Sequence, residues 1–274
     1  MANDIWINGE LANNVSVLDR GFSYGDGLFT TIKVDNYCCE LLPQHIDRLQ
    51  QGLIRLSIAA IDFEALSNDL TTKAKNLQNG ILKVTITRGI GQRGYSSLGC
   101  DSPTVVISTS PMTTSYLPWQ KEGINLGIST ITLGINPLTA GLKHLNRLEQ
   151  VLIKQQIDEN KWADAVVLDC NGHVIETNMA NIFLCKDNIV YTPCLKTSGV
   201  NGLMRQQVIN YLDDNNIDII EDRFKLGAIM NADEIFITNC LMGVVPITAV
   251  ESTTFSIGKM ARKLSLVFNE KECS

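Results

Sequence analysis

Two periodicities alternate along the chain, and that alternation constrains its fold more than any other feature. Ile5–Asn8, Phe29–Val34, Ile81–Thr87 and Thr104–Thr109 read as strands. Between them Ile46, Leu49, Leu53 and Leu56 recur at helical spacing after Pro43, which suits a first helical turn, and Phe63–Leu77 predicts a second helix. A second series follows: strands at 124–133, 165–169, 174–177, 182–185, 189–192, 217–222 and 234–238, with helices at 145–157, 203–212 and 257–268. Asn171-Gly172 and Asp187-Asn188 mark hairpins within it. The stretch 110–123 holds Pro111, Pro118 and a run of Ser and Thr. The expectation is a mixed α/β (α+β) chain of two domains, residues 1–110 and 123–274, joined by a linker at 111–122.

Composition narrows the partners. At 274 residues and 45% hydrophobic the chain can bury two cores, and a formal charge of −6 gives no positive field for nucleic acid or anionic lipid. No apolar run reaches the length of a membrane span, and Met1–Glu10 lacks the pattern of a signal peptide. Eight cysteines without a Cys-x-x-Cys pair read as reduced cytoplasmic thiols. Cys170-Asn-Gly-His173 has ligand-like spacing, but its centre is a hairpin turn and His45 and His144 lie elsewhere, so no metal is expected.

Four segments carry candidate chemistry, each with a plainer alternative. Lys143 follows a Gly turn ahead of a predicted helix, with Asn146 and Glu149 at capping spacing. Helix dipole and burial there would both favour the neutral amine that carbonyl chemistry needs; the alternative is a solvated loop lysine. Gly199-Val-Asn-Gly202 leads into a helix and could cradle phosphate, or be an ordinary turn. Glu176, ahead of Asn178 and Asn181, could pair with a protonated ring nitrogen, or be solvated at a strand end. Gly89-Ile-Gly91-Gln-Arg93-Gly94 matches a dinucleotide pattern, but a loop follows where that fold needs a helix. The better reading is a loop presenting Arg93 and Tyr95 to a carboxylate. A nucleotide-dependent oxidoreductase or a non-catalytic ligand carrier are readings from other classes.

In order, Asp19-Arg-Gly-Phe22-Ser-Tyr-Gly25-Asp-Gly27-Leu-Phe29, His45-Ile-Asp-Arg48, Lys143, Glu176-Thr-Asn-Met-Ala-Asn-Ile-Phe183 and Gly199-Val-Asn-Gly202 resemble the class IV pyridoxal-phosphate enzymes. The resemblance implies a two-domain fold-type IV architecture with the cofactor between the domains, and a homodimer. It implies that Lys143 bonds the cofactor, Arg48 and the backbone of Val200 and Asn201 hold its phosphate with Asn239, and Glu176 holds its ring nitrogen. Within a family that includes branched-chain and D-amino acid aminotransferases, Lys143-His-Leu-Asn-Arg-Leu-Glu-Gln150, Thr30-Thr31 and Arg88-Gly-Ile-Gly-Gln-Arg-Gly-Tyr-Ser96 are most similar to aminodeoxychorismate lyase. That implies release of 4-aminobenzoate and pyruvate from a dicarboxylate, with the aminotransferases as the alternative. Lys143 would be the base and Thr31 a proton donor or a plain strand hydroxyl. Arg93 would take one carboxylate, and Arg205 or Arg147 the other.

Overall fold

Strand alternation builds the first sheet. The computed structural model describes residues 4–269; residues 1–3 of the amino-terminal stretch and Cys273 lie outside that range. The described chain forms two units, residues 4–113 with Lys143–Asn146, and Thr114–Leu142 with residues 147–269.

The first unit contains β1 (Ile5–Ile7), β2 (Glu10–Leu11), α1 (Arg20–Tyr24), β3 (Gly27–Asp35), β4 (Cys38–Cys39), α2 (Leu42–Leu56), α3 (Phe63–Ala74), β5 (Gly80–Thr87) and β6 (Thr104–Ser110). Its sheet is antiparallel in the order β2-β1-β6-β5-β3-β4. Leu28, Ile32 and Val34 of β3 and Leu82, Val84 and Ile86 of β5 point to one face. There they bury against Leu49 and Leu53 of α2 and Leu66, Leu70 and Ala74 of α3. The alternate residues Phe29, Thr31 and Lys83 therefore lie on the other face.

Lys143, expected in the second domain, groups with this first unit. The reason is backbone pairing: the Phe29 N–H donates to the Lys143 carbonyl (2.9 Å) and the Leu145 N–H to the Gly27 carbonyl (3.0 Å).

The second unit runs through α4 (Tyr116–Glu122), β7 (Ile124–Ile128), α5 (Leu148–Asn160), β8 (Asp164–Leu168), β9 (Val174–Thr177), β10 (Asn181–Lys186) and β11 (Ile189–Pro193). It continues with α6 (Leu203–Asp214), β12 (Ile219–Asp222), α7 (Leu226–Met230), β13 (Glu234–Asn239), β14 (Gly243–Val250), β15 (Thr253–Thr254) and α8 (Lys259–Phe268). The strand order is β12-β11-β10-β13-β14-β7-β8-β9, with β15 on β14. Both faces are covered. Ile182, Leu184, Ile235 and Ile237 enter one core, while Phe183, Phe236 and Val244 enter another beneath α6 and α8. Phe183 and Phe236, paired across β10 and β13, stack at 4.9 Å.

Three expectations change. The 111–122 stretch is not all linker, since α4 occupies most of it. β14, which is not among the expected strands, lies within the sheet; pairing with β7 starts only at Ile247, so the ring of Pro246 breaks no bond along that edge. Helix α5 begins at Leu148 after Arg147, with no side-chain cap. Asn146 instead donates to the Gly25 carbonyl and Glu149 accepts from the Gly134 N–H, so the expected capping pair is absent.

Leu49 is fully buried in α2, one residue past Arg48. Leu49→Ala is expected to cost about 2–5 kcal/mol through the cavity it leaves, measurable as a lowered midpoint of denaturant unfolding.

Candidate active site

In the first unit, chemistry gathers on the face of β3 away from the helices. The Lys143 ammonium lies 4.7 Å from the centroid of the Phe29 ring, and that of Lys83 lies 5.0 Å from the same centroid. The two cations are therefore within about 10 Å, one screening length at moderate salt. Thr31 is half-buried and directly opposite Lys83 in the β3–β5 ladder, so both side chains share this face. Lys83 was not anticipated; its signal is a charged residue alternating with Leu82, Val84 and Ile86 in an otherwise uncharged strand.

His45 and Arg48 project from α2. His45 is buried, with Nδ1 2.6 Å from Thr30 Oγ1 and Nε2 unpaired. Burial first, then the charges of Arg48 and Lys143, press its pKa down to about 3, so the ring is neutral. Those couplings put His45, Arg48 and Lys143 in one electrostatic neighbourhood.

Arg93 and Tyr95 lie exposed on the loop after β5, Tyr95 at 87%. The backbone of that loop is held from α1. Arg20 Nη1 donates to the carbonyls of Gly94 (3.1 Å) and Ser96 (3.0 Å), and Nη2 to that of Tyr95 (3.0 Å). Arg20 Nε pairs with Asp26 at 2.9 Å, and Arg88 holds both oxygens of the same carboxylate. Burial alone would raise the pKa of Asp26; hydrogen bonds from Arg88 and Arg20 outweigh it and keep the carboxylate ionised below its ordinary range.

In the second unit Glu176 is buried on β9, and its Oε2 accepts from the Val200 N–H at 2.8 Å. Asn181 clamps the same loop: its amide donates to the Val200 carbonyl (2.8 Å) and its Oδ1 accepts from the Gly202 N–H (3.1 Å). The Asn201 N–H donates to the Gly141 carbonyl at 3.1 Å. The backbone donors expected of Val200 and Asn201 thus already have partners within the chain, a departure from the sequence reading. What the loop sets up instead is the start of α6, whose N-cap Gly202 offers no side-chain cap.

Asn239 also differs from expectation. Its Oδ1 accepts from the Leu241 and Met242 N–H groups and its amide donates to the Met179 carbonyl, so the side chain builds the β13–β14 turn. The neighbouring Thr238 carries a buried, unpaired hydroxyl and pairs directly across from Asn181. It was not singled out in the sequence, where the resemblance pointed to Asn239 instead.

Arg205 is not available to a substrate. It is 3% exposed and donates to Glu221 (2.5 Å), the Pro193 carbonyl (2.9 Å) and Asn201 Oδ1 (3.2 Å), which ties α6 to β11 and β12. Arg147 donates to the Leu142 carbonyl at 2.8 Å. Burial lowers its pKa while the carboxylates of Glu176 and Glu149 oppose the shift, which places it in the electrostatic surroundings of Glu176.

Asp164 braces the turn that follows Glu176. Fully buried at the start of β8, it accepts from the N–H groups of Ala165 (2.9 Å) and Asn178 (3.1 Å) and so fixes the turn between Glu176 and Asn181. Desolvation raises its pKa to about 6, against opposing hydrogen bonds from Thr177 and the backbone. Among the described residues no group of three His, Cys, Asp or Glu could hold a metal ion.

The family profile for amino-transferase class IV matches residues 27–250. An aminodeoxychorismate lyase of Vibrio harveyi is 40% identical over 263 residues, 94% of this chain and 97% of that protein. The crystal structure of 4-amino-4-deoxychorismate lyase from Pseudomonas aeruginosa superimposes with a TM-score of 0.92 at 34% identity, covering 96% of this chain and 97% of that one. A D-alanine aminotransferase of Bacillus licheniformis is 30% identical, over 89% of this chain and 86% of that protein.

Asp164 gives this site a pH signature. The folded protein holds its proton up to about 6 and the unfolded chain only to 3.8. Stability from this group is therefore full below the lower value and is lost as pH rises through the upper one. Asp164→Asn keeps the Oδ1 acceptor without the charge, and is expected to raise the thermal midpoint over wild type at neutral pH, with the difference closing under acid; thermal unfolding at both pH values checks it.

Proposed function

Because the chain belongs to the class IV aminotransferase family, we propose that it is a pyridoxal-phosphate-dependent lyase that converts 4-amino-4-deoxychorismate to 4-aminobenzoate and pyruvate. What carries the reading is its greater similarity, over nearly its whole length, to a lyase at 40% identity than to an aminotransferase at 30%.

The residues fit the cofactor in kind. An amine for its aldehyde sits on a segment fixed by backbone pairing, at Lys143. A guanidinium at Arg48, the uncapped first turn of α6 and the unpaired Thr238 hydroxyl would meet phosphate oxygens. A buried carboxylate, Glu176, would keep the ring nitrogen protonated. When bound, the cofactor supplies a conjugated ring that takes up an electron pair released at the carbon next to the substrate nitrogen.

The chain's own groups then handle protons and charge. Lys143 Nζ, once free, removes the proton from the ring carbon bearing the substrate amine. Thr31 Oγ1, on the same face, donates a proton to the departing enolpyruvyl group. Lys83 beside Lys143 takes one substrate carboxylate and Arg93 the other, so two cations offset the overall negative charge at short range. Phe29, whose ring both lysines approach, keeps the site apolar around the amine.

The assembly is a homodimer in this reading. Leu148, Val151 and Leu152 form an exposed apolar stripe on α5, and Val17, Leu18 and Phe22 are exposed about α1. The compartment is the cytoplasm, in keeping with the free thiols of all the described cysteines. Among the described residues no helix is long and apolar enough to cross a membrane.

Incubation with 4-amino-4-deoxychorismate is expected to release pyruvate and 4-aminobenzoate. Lys143→Ala should lower that rate by about a thousandfold, within the usual range for a lost general base. Amino transfer to 2-oxoglutarate without pyruvate release would replace the lyase by an aminotransferase. A colourless protein that gives no borohydride-trapped adduct at Lys143 would remove the cofactor from the account altogether.

A further inference from the structure

The loop that bears Arg93 and Tyr95 combines two properties that seldom coincide. Its side chains stand in solvent, with Tyr95 at 87% and Leu98 at 89% exposure, yet three consecutive carbonyls converge on one buried guanidinium. The Gly94 N–H donates to the Tyr24 hydroxyl at 3.1 Å, so Gly94 is held through both its backbone groups. The Arg20 guanidinium also lies 5.0 Å from the Tyr24 ring centroid, and the Tyr24 and Tyr95 rings are 5.4 Å apart. Gly91 completes the seat, because a Cβ there would meet Arg20 Cδ at 2.8 Å. Arg20 is itself fixed by Asp26, which Arg88 holds from the other side, and Arg88 in turn donates to the carbonyls of Leu56 and Ser57.

We propose that Arg20, with Tyr24, is a positioning residue for substrate recognition: it holds residues 94–96 in the one backbone conformation that aims Arg93 at a substrate carboxylate. The proposal rests on the reading above that Arg93 binds that carboxylate. Its physical content is pre-organisation. A five-donor planar fork saturates three carbonyls and one carboxylate at once, which a lysine ammonium cannot do in the same plane. The loop then loses little conformational entropy when the dianion arrives, and the affinity saved appears in substrate binding rather than in the chemical step. Neither Arg20 nor Tyr24 needs to touch the substrate.

The test compares Arg20→Lys, Tyr24→Phe and Arg93→Ala in the cofactor-loaded protein by steady-state kinetics on 4-amino-4-deoxychorismate, and Arg20→Lys and Tyr24→Phe with wild type by tryptic cleavage after Arg93. Arg93→Ala is expected to raise KM about tenfold or more with kcat little changed, the signature of lost binding. Arg20→Lys should raise KM by a similar factor, about tenfold, and speed cleavage after Arg93 at least as much, while the cofactor absorption band and thermal midpoint stay close to wild type. Tyr24→Phe, which removes only one hydroxyl, should move both readouts the same way by a smaller factor, and it carries the comparison if Arg20→Lys does not fold. Wild-type KM and wild-type cleavage in both clamp variants, alongside a raised KM in Arg93→Ala, would overturn the proposal and leave the substrate reading standing. An unchanged KM in Arg93→Ala would instead overturn the substrate role of the loop, and with it the purpose assigned to the clamp.

Discussion

A short backbone pairing organises the rest of this protein: the edge of β3 at Gly27–Phe29 accepts the segment Lys143–Leu145 as its neighbour. Two hydrogen bonds and one isolated bridge fix a lysine that lies more than a hundred residues away in sequence. That arrangement explains why Lys143 sits on a paired segment rather than on a free loop. Its carbonyl is bonded to the residue whose ring its own ammonium faces, so displacing Lys143 means opening the strand edge. Gly27 is required for this approach, since a Cβ there would meet the Ile86 carbonyl at 2.4 Å and Leu145 Cδ1 at 2.9 Å.

Charge is arranged with similar economy. The chain carries a net −6, yet the groups that matter are held in small compensated sets. Asp26 stands between two guanidiniums, Arg205 is matched to Glu221 and two oxygen acceptors, and Glu176 is held by a backbone N–H with Arg147 in its surroundings. Removing one member of such a set leaves a buried charge without compensation, which costs far more than the net worth of the pair. These sets therefore serve geometry first: each one locks a turn or loop whose backbone must stay in place for a neighbouring side chain to act.

Much of this was legible in the sequence, for identifiable reasons. The strand–helix alternation was strong because residues such as Leu28, Ile32 and Val34 bury one face of β3 and leave Phe29 and Thr31 on the other. Asp187 and Asn188 both take positive φ, as a tight hairpin demands. Lys143, Glu176 and the Gly199–Gly202 loop were singled out from their order along the chain, and the last two meet in the bond from the Val200 N–H to Glu176. Other features had no one-dimensional signature. Arg205 looks like any helical arginine until the Pro193 carbonyl and Glu221 are seen beside it. Helix α5 carries apolar residues on both a buried face, Ile153 and Ile157, and an exposed one, so the periodicity that sets helix boundaries is blurred and its start was read early. Asp164 resembles a solvated strand-end carboxylate until its full burial and its bonds to the 177–180 turn are known.

The placement of Lys143 also has a consequence for the order of events during synthesis. The amino-terminal sheet can pair all six of its strands once residue 110 has left the ribosome, but the edge of β3 at Gly27–Phe29 stays open until Lys143–Asn146 emerges. The last stitch in the first unit is thus the segment that carries the lysine. A nascent chain cannot set that lysine against β3 before the rest of its first sheet has emerged, and a chain truncated short of residue 146 would keep an open strand edge as a point of misassembly.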